Sequence, residues 1–284
     1  MEERPGIMLN LRLLGLPDGN QFKWYEQLLI SVANRLAEAA QKVDALDFNK
    51  QEFLKTFVVF FQSIKVLSLG LKVESGGKET QLNALPAIMT LVRACLENYA
   101  TFYFIYLENK EMDTIRFRFW SWWREGIMRR QKYKALDEQQ KKQLQKESME
   151  IAQIASDLRQ NDNYNAFTEP QKRAYVAFGR WHYHSKSELL SLAGFSRAFA
   201  DTIYSHLSSY SHTSSLSQLQ TKQASYEIAE KITSTTLKVI FMIAGLYLSG
   251  YLELWPQLAA GIGENDREFY LSWCELAAEF SERY

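Results

Sequence analysis

Proline is scarce in this chain, five in 284 residues, and each falls near the end of an apolar-periodic segment or in a loop, so little interrupts long helices. Cysteine is scarcer still. Cys95 and Cys274 are the only two, which excludes a disulfide framework, and neither stands in a CxxC or other metal-ligand spacing. Both read as buried thiols of a reducing compartment, so the expected location is cytoplasmic. An excess of either charge is absent too: 33 Lys and Arg balance 33 Asp and Glu. No global field then draws the chain to nucleic acid or an anionic membrane, and any such contact must come from a local patch. The most lipid-like run, Val239 to Leu248, falls short of the roughly 20 residues a spanning helix requires and reads as a buried core helix, so no membrane partner is expected. The N-terminus, MEERPGIMLNLRLLGLPDG, starts acidic and lacks the basic start and unbroken apolar segment of a signal peptide; secretion is not expected. There is no P-loop, no GxGxxG, no GxSxG and no cysteine near a histidine in sequence, which disfavours the familiar nucleotide, hydrolase and thiol chemistries.

What the chain does have is apolar residues at three and four spacing almost throughout, and no convincing alternating strand. The expectation is an all-α helical bundle. Residues 1–284 should form one domain, with core helices in 20–109 and 187–284 and a charged, aromatic helical insertion over 110–186. Asn20 is placed to cap a first helix, and Asn49 followed by Glu52 resembles a capping box opening a second, which ends in a flexible loop at VESGGKETQ. A third helix has Pro86 in its first turn. NDNYNAFTEP breaks the pattern and marks an insertion or lid. Beyond it come a short helix from Ser187 stopped by Gly194, a helix bearing Tyr204, a long apolar helix from Ser225 to Glu253, and a last helix with Phe269, Trp273, Leu276 and Phe280 on its core side.

The third helix, LPAIMTLVRACLENYATFYFIYL, is apolar nearly all round, yet carries Arg93 and Glu97 one turn apart. A guanidinium in such surroundings needs a partner or a task. Two readings fit: the pair ties the third helix to a neighbour and fixes register, or it belongs to a ligand or catalytic site. On the later helix, Tyr204, Ser208 and His212 lie four apart along one face, with Asp201 three residues before. That row is a surface, a capped helix end or a site, since serines also crowd helix ends to satisfy loose backbone groups.

RFRFWSWWREGIMRRQKYK interleaves basic and aromatic residues, and Arg116, Arg118, Arg124, Arg129 and Arg130 are the candidates for nucleic-acid contact. The same string suits a membrane-surface or partner helix, or a core helix burying Ile115, Phe119, Trp122 and Trp123 while the arginine and lysine stems reach water. His182 and His184 form an HxH pair without a third ligand in any recognised spacing, so no metal and no other cofactor is expected.

On the RACLE of 93–97 and the YSHLSSYSH of 204–212, with the preceding SELLSLAGFSRAFADTIYSHLS, the chain resembles an uncharacterised family of bacterial helical proteins, of the domain-of-unknown-function 5677 type, that pairs RxxxE with YxxxSxxxH. More distantly these resemble the HEPN superfamily of helical bundles, many of them RNases of bacterial defence and toxin systems. The resemblance implies a HEPN-like core, RNA as partner, a homodimer, and a metal-independent ribonuclease pocket of His212, Arg93, Glu97, Tyr204 and Ser208. It departs from the HEPN nuclease pattern in one respect: the arginine nearest before His212 is Arg197, too far for the usual arginine-to-histidine spacing. The alternative is a non-catalytic sensor or interaction module whose polar cluster is structural or holds a small anion.

Overall fold

The computed structural model describes residues 19–39, 45–82, 84–211 and 226–279. Helices dominate: α1 (Gly19–Ala39), α2 (Ala45–Ser68), α3 (Leu85–Tyr106), α4 (Met112–Arg130), α5 (Glu138–Leu158), α6 (Asp162–Asn165), α7 (Glu169–Phe178), α8 (Lys186–Leu192), α9 (Arg197–Ser211), α10 (Tyr226–Leu254), a 3-10 turn (Pro256–Gly261) and α11 (Glu264–Glu279). The protein is an all-α helical bundle with one small exception. Between α2 and α3 the segment expected to be a flexible loop pairs instead as an antiparallel hairpin, β1 (Leu71–Ser75) with β2 (Lys78–Leu82), in register Leu71↔Leu82 to Ser75↔Lys78. Gly76 and Gly77 make its two-residue turn at φ 60° and 77°, the left-handed geometry that matches the twist of paired strands. The helix beginning expected at Asn49 is also corrected: α2 starts at Ala45, so Asn49 lies inside it.

The chain forms two compact units. One comprises the chain up to Phe104 and from Lys186 onward; the other is Ile105–Ser185.

In the first unit α10 is the axis. Val239, Ile240, Phe241, Met242, Ile243, Ala244, Tyr247, Leu248 and Tyr251 are all essentially inaccessible. The apolar stretch is longer than Val239–Leu248: Lys231–Leu254 is long and apolar enough to cross a membrane by length and composition, and it is mostly buried within the protein. Its partners supply rings. Tyr25 of α1 stacks on Phe241 at 5.1 Å, Phe57 of α2 meets Tyr247 at 4.7 Å, and Phe102 of α3 lies parallel to Tyr251 at 4.8 Å. Two of these buried tyrosines also satisfy their hydroxyls. Tyr247 donates to the side-chain oxygen of Asn98 and Tyr251 to the carbonyl of Lys50. Against α10 lies α11, whose buried side is Tyr270, Ser272, Trp273 and Ala277; Phe269 and Leu276 are only half-buried, and Phe280 is outside the described residues. Gly245 sets that approach, because a Cβ there would meet the Tyr270 carbonyl at 2.8 Å.

The second unit has its own core of Phe117, Ile127, Ile154, Leu158 and Tyr175, flanked by Trp120, Trp123, Ile151, Tyr164 and Phe167. Thr168 and Gln171 close a capping box at the start of α7, beside Pro170, and Gly179 ends that helix at φ 65°. NDNYNAFTEP is thus a packed connection carrying α6 and two core aromatics.

Candidate functional site

Arg93 and Glu97 project from α3 on adjacent turns, flanked by Val92, Cys95 and Leu96, all fully buried. Helix α3 is central because nearly every position on it is apolar, and these two side chains emerge at the seam with α9. There Tyr204 completes a closed ring of bonds. The Arg93 Nε donates to Glu97 Oε1 at 3.1 Å, the Tyr204 hydroxyl donates to the same oxygen at 2.8 Å, and Arg93 Nη2 donates to the Tyr204 oxygen at 3.2 Å. The guanidinium also lies over the tyrosine ring, 5.2 Å from its centre. Side-chain exposure is 19% for Arg93 and 35% for Glu97, so the cluster is reached by solvent on one side.

Electrostatics follow from this ring. Burial works against the charge on Arg93, but the Tyr204 hydroxyl and the Glu97 carboxylate more than offset it, and the pKa sits above the ordinary arginine value. The Tyr204 pKa is pushed up, first by burial and then by the adjacent Glu97 carboxylate, against the opposing effect of Arg93. Tyr204 therefore keeps its proton at neutral pH. That proton is committed to Glu97, so the hydroxyl aligns Arg93 through its lone pair.

Glu97 spends only Oε1 on these bonds. Beside it, Glu97, Ala100, Thr101, Lys186, Leu189 and Tyr204 border a depression with room for about one water molecule, roughly 10 Å³. Lys186, at the first position of α8, is the residue the motif spacing did not single out. Its only signal in sequence was position, a cation just before the short helix that leads to α9.

Ser208, one turn beyond Tyr204, has a buried hydroxyl with no hydrogen-bond partner among the described residues. Such a group destabilises by about 1–3 kcal/mol unless something meets it. His212, the last member of the row, lies outside the described residues. Asp201 stands apart from the ring: it is exposed and held by Ser187 and Arg197, the latter at 3.1 Å, which lowers its pKa. His206, half-buried and edge-on to Tyr210 at 5.5 Å, is kept neutral at pH 7 because burial lowers its pKa.

The five arginines singled out for nucleic-acid contact are spread over different environments. Arg116 is exposed, 3.9 Å from Asp113, and Arg118 pairs with Glu108 at 2.5 Å. Arg129 pairs with Glu125 at 2.8 Å and Arg130 with Glu147 at 2.5 Å. Arg124 does not reach outward as its place in the basic string suggested. It is buried, donates to the carbonyls of Tyr175 and Val176 at 2.9 and 3.3 Å, and sits over the Tyr175 ring. A guanidinium there satisfies the last carbonyls of α7. His182 packs edge-on against Trp181 and His184 is exposed. Among the described residues no three His, Cys, Asp or Glu side chains gather as a metal site. Both thiols are protonated: burial pushes Cys95 well above its ordinary value and Cys274 up to about 12.

The model of a family of unknown function, DUF5677, matches residues 53–224, more than half of the chain. The chain belongs to that family. The matched stretch takes in Arg93, Glu97 and Tyr204, the three members of the ring. No curated protein and no solved structure matches the chain.

Proposed function

We propose that the Arg93–Glu97–Tyr204 ring is the phosphate-binding part of a HEPN-like, metal-independent ribonuclease site. The observation that carries this reading is a guanidinium fixed on three sides, by a carboxylate, a hydroxyl and a ring, while one side stays open to solvent. A structural ion pair needs the carboxylate alone; the second alignment through Tyr204 also fixes the plane of the guanidinium. The depression is too small for a nucleotide to enter. A phosphodiester lying across an open surface suits it better, which favours a polymeric substrate over a small one.

In this mechanism the ribose 2′-hydroxyl attacks the adjacent phosphorus, leaving a 2′,3′-cyclic phosphate and a 5′-hydroxyl. His212 moves the proton, taking it from the 2′-hydroxyl or giving it to the leaving oxygen. Arg93 stabilises charge gathering on the non-bridging oxygens, and Glu97 with Tyr204 holds it in place.

One observation favours a second reading. Tyr204 and Glu97 Oε1 are fully used by protein partners, as they would be in a purely structural knot. Cleavage of labelled RNA and thermal melting, measured on Arg93→Ala, Tyr204→Phe and His212→Ala, separate the two. The nuclease reading expects His212→Ala to abolish cleavage without moving the melting temperature. A structural knot expects Arg93→Ala to melt earlier and no variant, nor the parent, to cleave.

A further inference from the structure

The turn joining α4 to α5 carries mostly positive charge. From Arg129 to Lys146 there are seven basic residues against Asp137 and Glu138. Three of the seven are neutralised locally: Arg129 by Glu125, Arg130 by Glu147 and Lys141 by Glu138. The other four, Lys132, Lys134, Lys142 and Lys146, are exposed and have no ion-pair partner among the described residues. Lys132 and Lys134 lie on the turn itself, while Lys142 and Lys146 lie four apart on one face of α5. Between them stands Tyr133, 71% exposed, beside Leu136 at 86%.

We propose that this tip, residues 129–146, is a docking surface for single-stranded RNA, with the four lysines on successive phosphates and Tyr133 stacked on a base. Charge complementarity selects a polyanion, and an aromatic ring held in water among cations selects one with planar bases. The exposed part of α5 between the lysines is polar, with Gln139 and Gln145 in solvent. A membrane-binding helix would place an apolar face there instead. The choice of RNA over another polyanion rests on the ribonuclease reading above, but the surface belongs to the second unit and shares no residue with the Arg93 ring.

The test is fluorescence anisotropy on the full chain with a labelled 2′-O-methyl RNA 20-mer, which cannot be cleaved by 2′-hydroxyl attack. Lys132→Gln/Lys134→Gln/Lys142→Gln/Lys146→Gln is compared with the parent from low to moderate salt. Losing four phosphate contacts should weaken binding at least tenfold and reduce the slope of log K against log salt by about 3. Tyr133→Ala should weaken binding about tenfold with the slope unchanged. An unaltered melting curve shows that these exposed substitutions leave the fold intact. Parent-like affinity and slope in the quadruple variant overturns the proposal, as does a parent that ignores the RNA but binds vesicles of phosphatidylserine and phosphatidylcholine. Tight, lysine-dependent binding by a protein that leaves ordinary RNA uncut sinks the nuclease reading and leaves this surface standing.

Discussion

Arg93 holds its charge in a largely apolar helix because Glu97 and Tyr204, four and 111 positions away, are among the groups that take its hydrogens. The i to i+4 spacing made the carboxylate legible in sequence, and the need for a further partner pointed to the Tyr204 helix. The direction of the bonds was not legible: a tyrosine can donate or accept, and only geometry assigns its proton to Glu97. If the ring is one cooperative unit, Glu97→Gln and Tyr204→Phe should be non-additive. Their double-mutant cycle in denaturant unfolding should give a coupling of about 0.5–3 kcal/mol; additive losses would mean independent bonds. A second residue-scale prediction concerns Glu147, which is 1% exposed and bound by Arg130, Gln131 and Gln143. Burial opposes its charge, yet these bonds prevail and its pKa lies below the ordinary 4.5. A depressed carboxylate pKa stabilises the fold above the unfolded value and ceases to do so as pH falls through the folded one. Glu147→Gln should thus melt earlier than the parent at pH 7, with the gap closing below about pH 4.5. A gap independent of pH would contradict the assignment.

At the level of elements, helix existence followed from periodicity, and α8 ends two residues before Gly194 and α10 two residues before Pro256. Two errors have separate causes. Asn49 was a plausible cap, but apolar Leu46 packs into the core (6% exposed), so burial extends α2 backwards past it. The Gly76–Gly77 pair was read as slack, whereas two consecutive left-handed residues make a tight hairpin turn. Arg124 hid for a third reason: which arginine in a basic string turns inward depends on the carbonyls at the end of α7, 51 and 52 positions away. For α10 and α11 the close approach at Gly245 gives a direct test. Gly245→Ala gains helix propensity of up to about 1 kcal/mol, but pushes a methyl against a backbone carbonyl that cannot rotate away. The net result should be a loss of roughly 1–2 kcal/mol in urea unfolding. An alanine variant as stable as the parent would show that the two helices can separate at no cost.

For the whole molecule, balanced charge said only that partners must be recognised locally, and two local features are proposed here to do so. One is the anchored guanidinium of the first unit; the other is the unpaired lysine tip of the second. Ile105–Ser185 is a compact unit with its own aromatic core, and that packing was not legible in composition. The most direct measurement is incubation of an end-labelled single-stranded RNA with the purified protein in excess EDTA, followed by analysis of the product ends. Fragments ending in 2′,3′-cyclic phosphate, formed equally well with and without chelator and at least a hundredfold more slowly by Arg93→Ala, are the predicted result. RNA left intact by the parent protein would contradict the account and leave the ring of Arg93, Glu97 and Tyr204 as a bond between two helices.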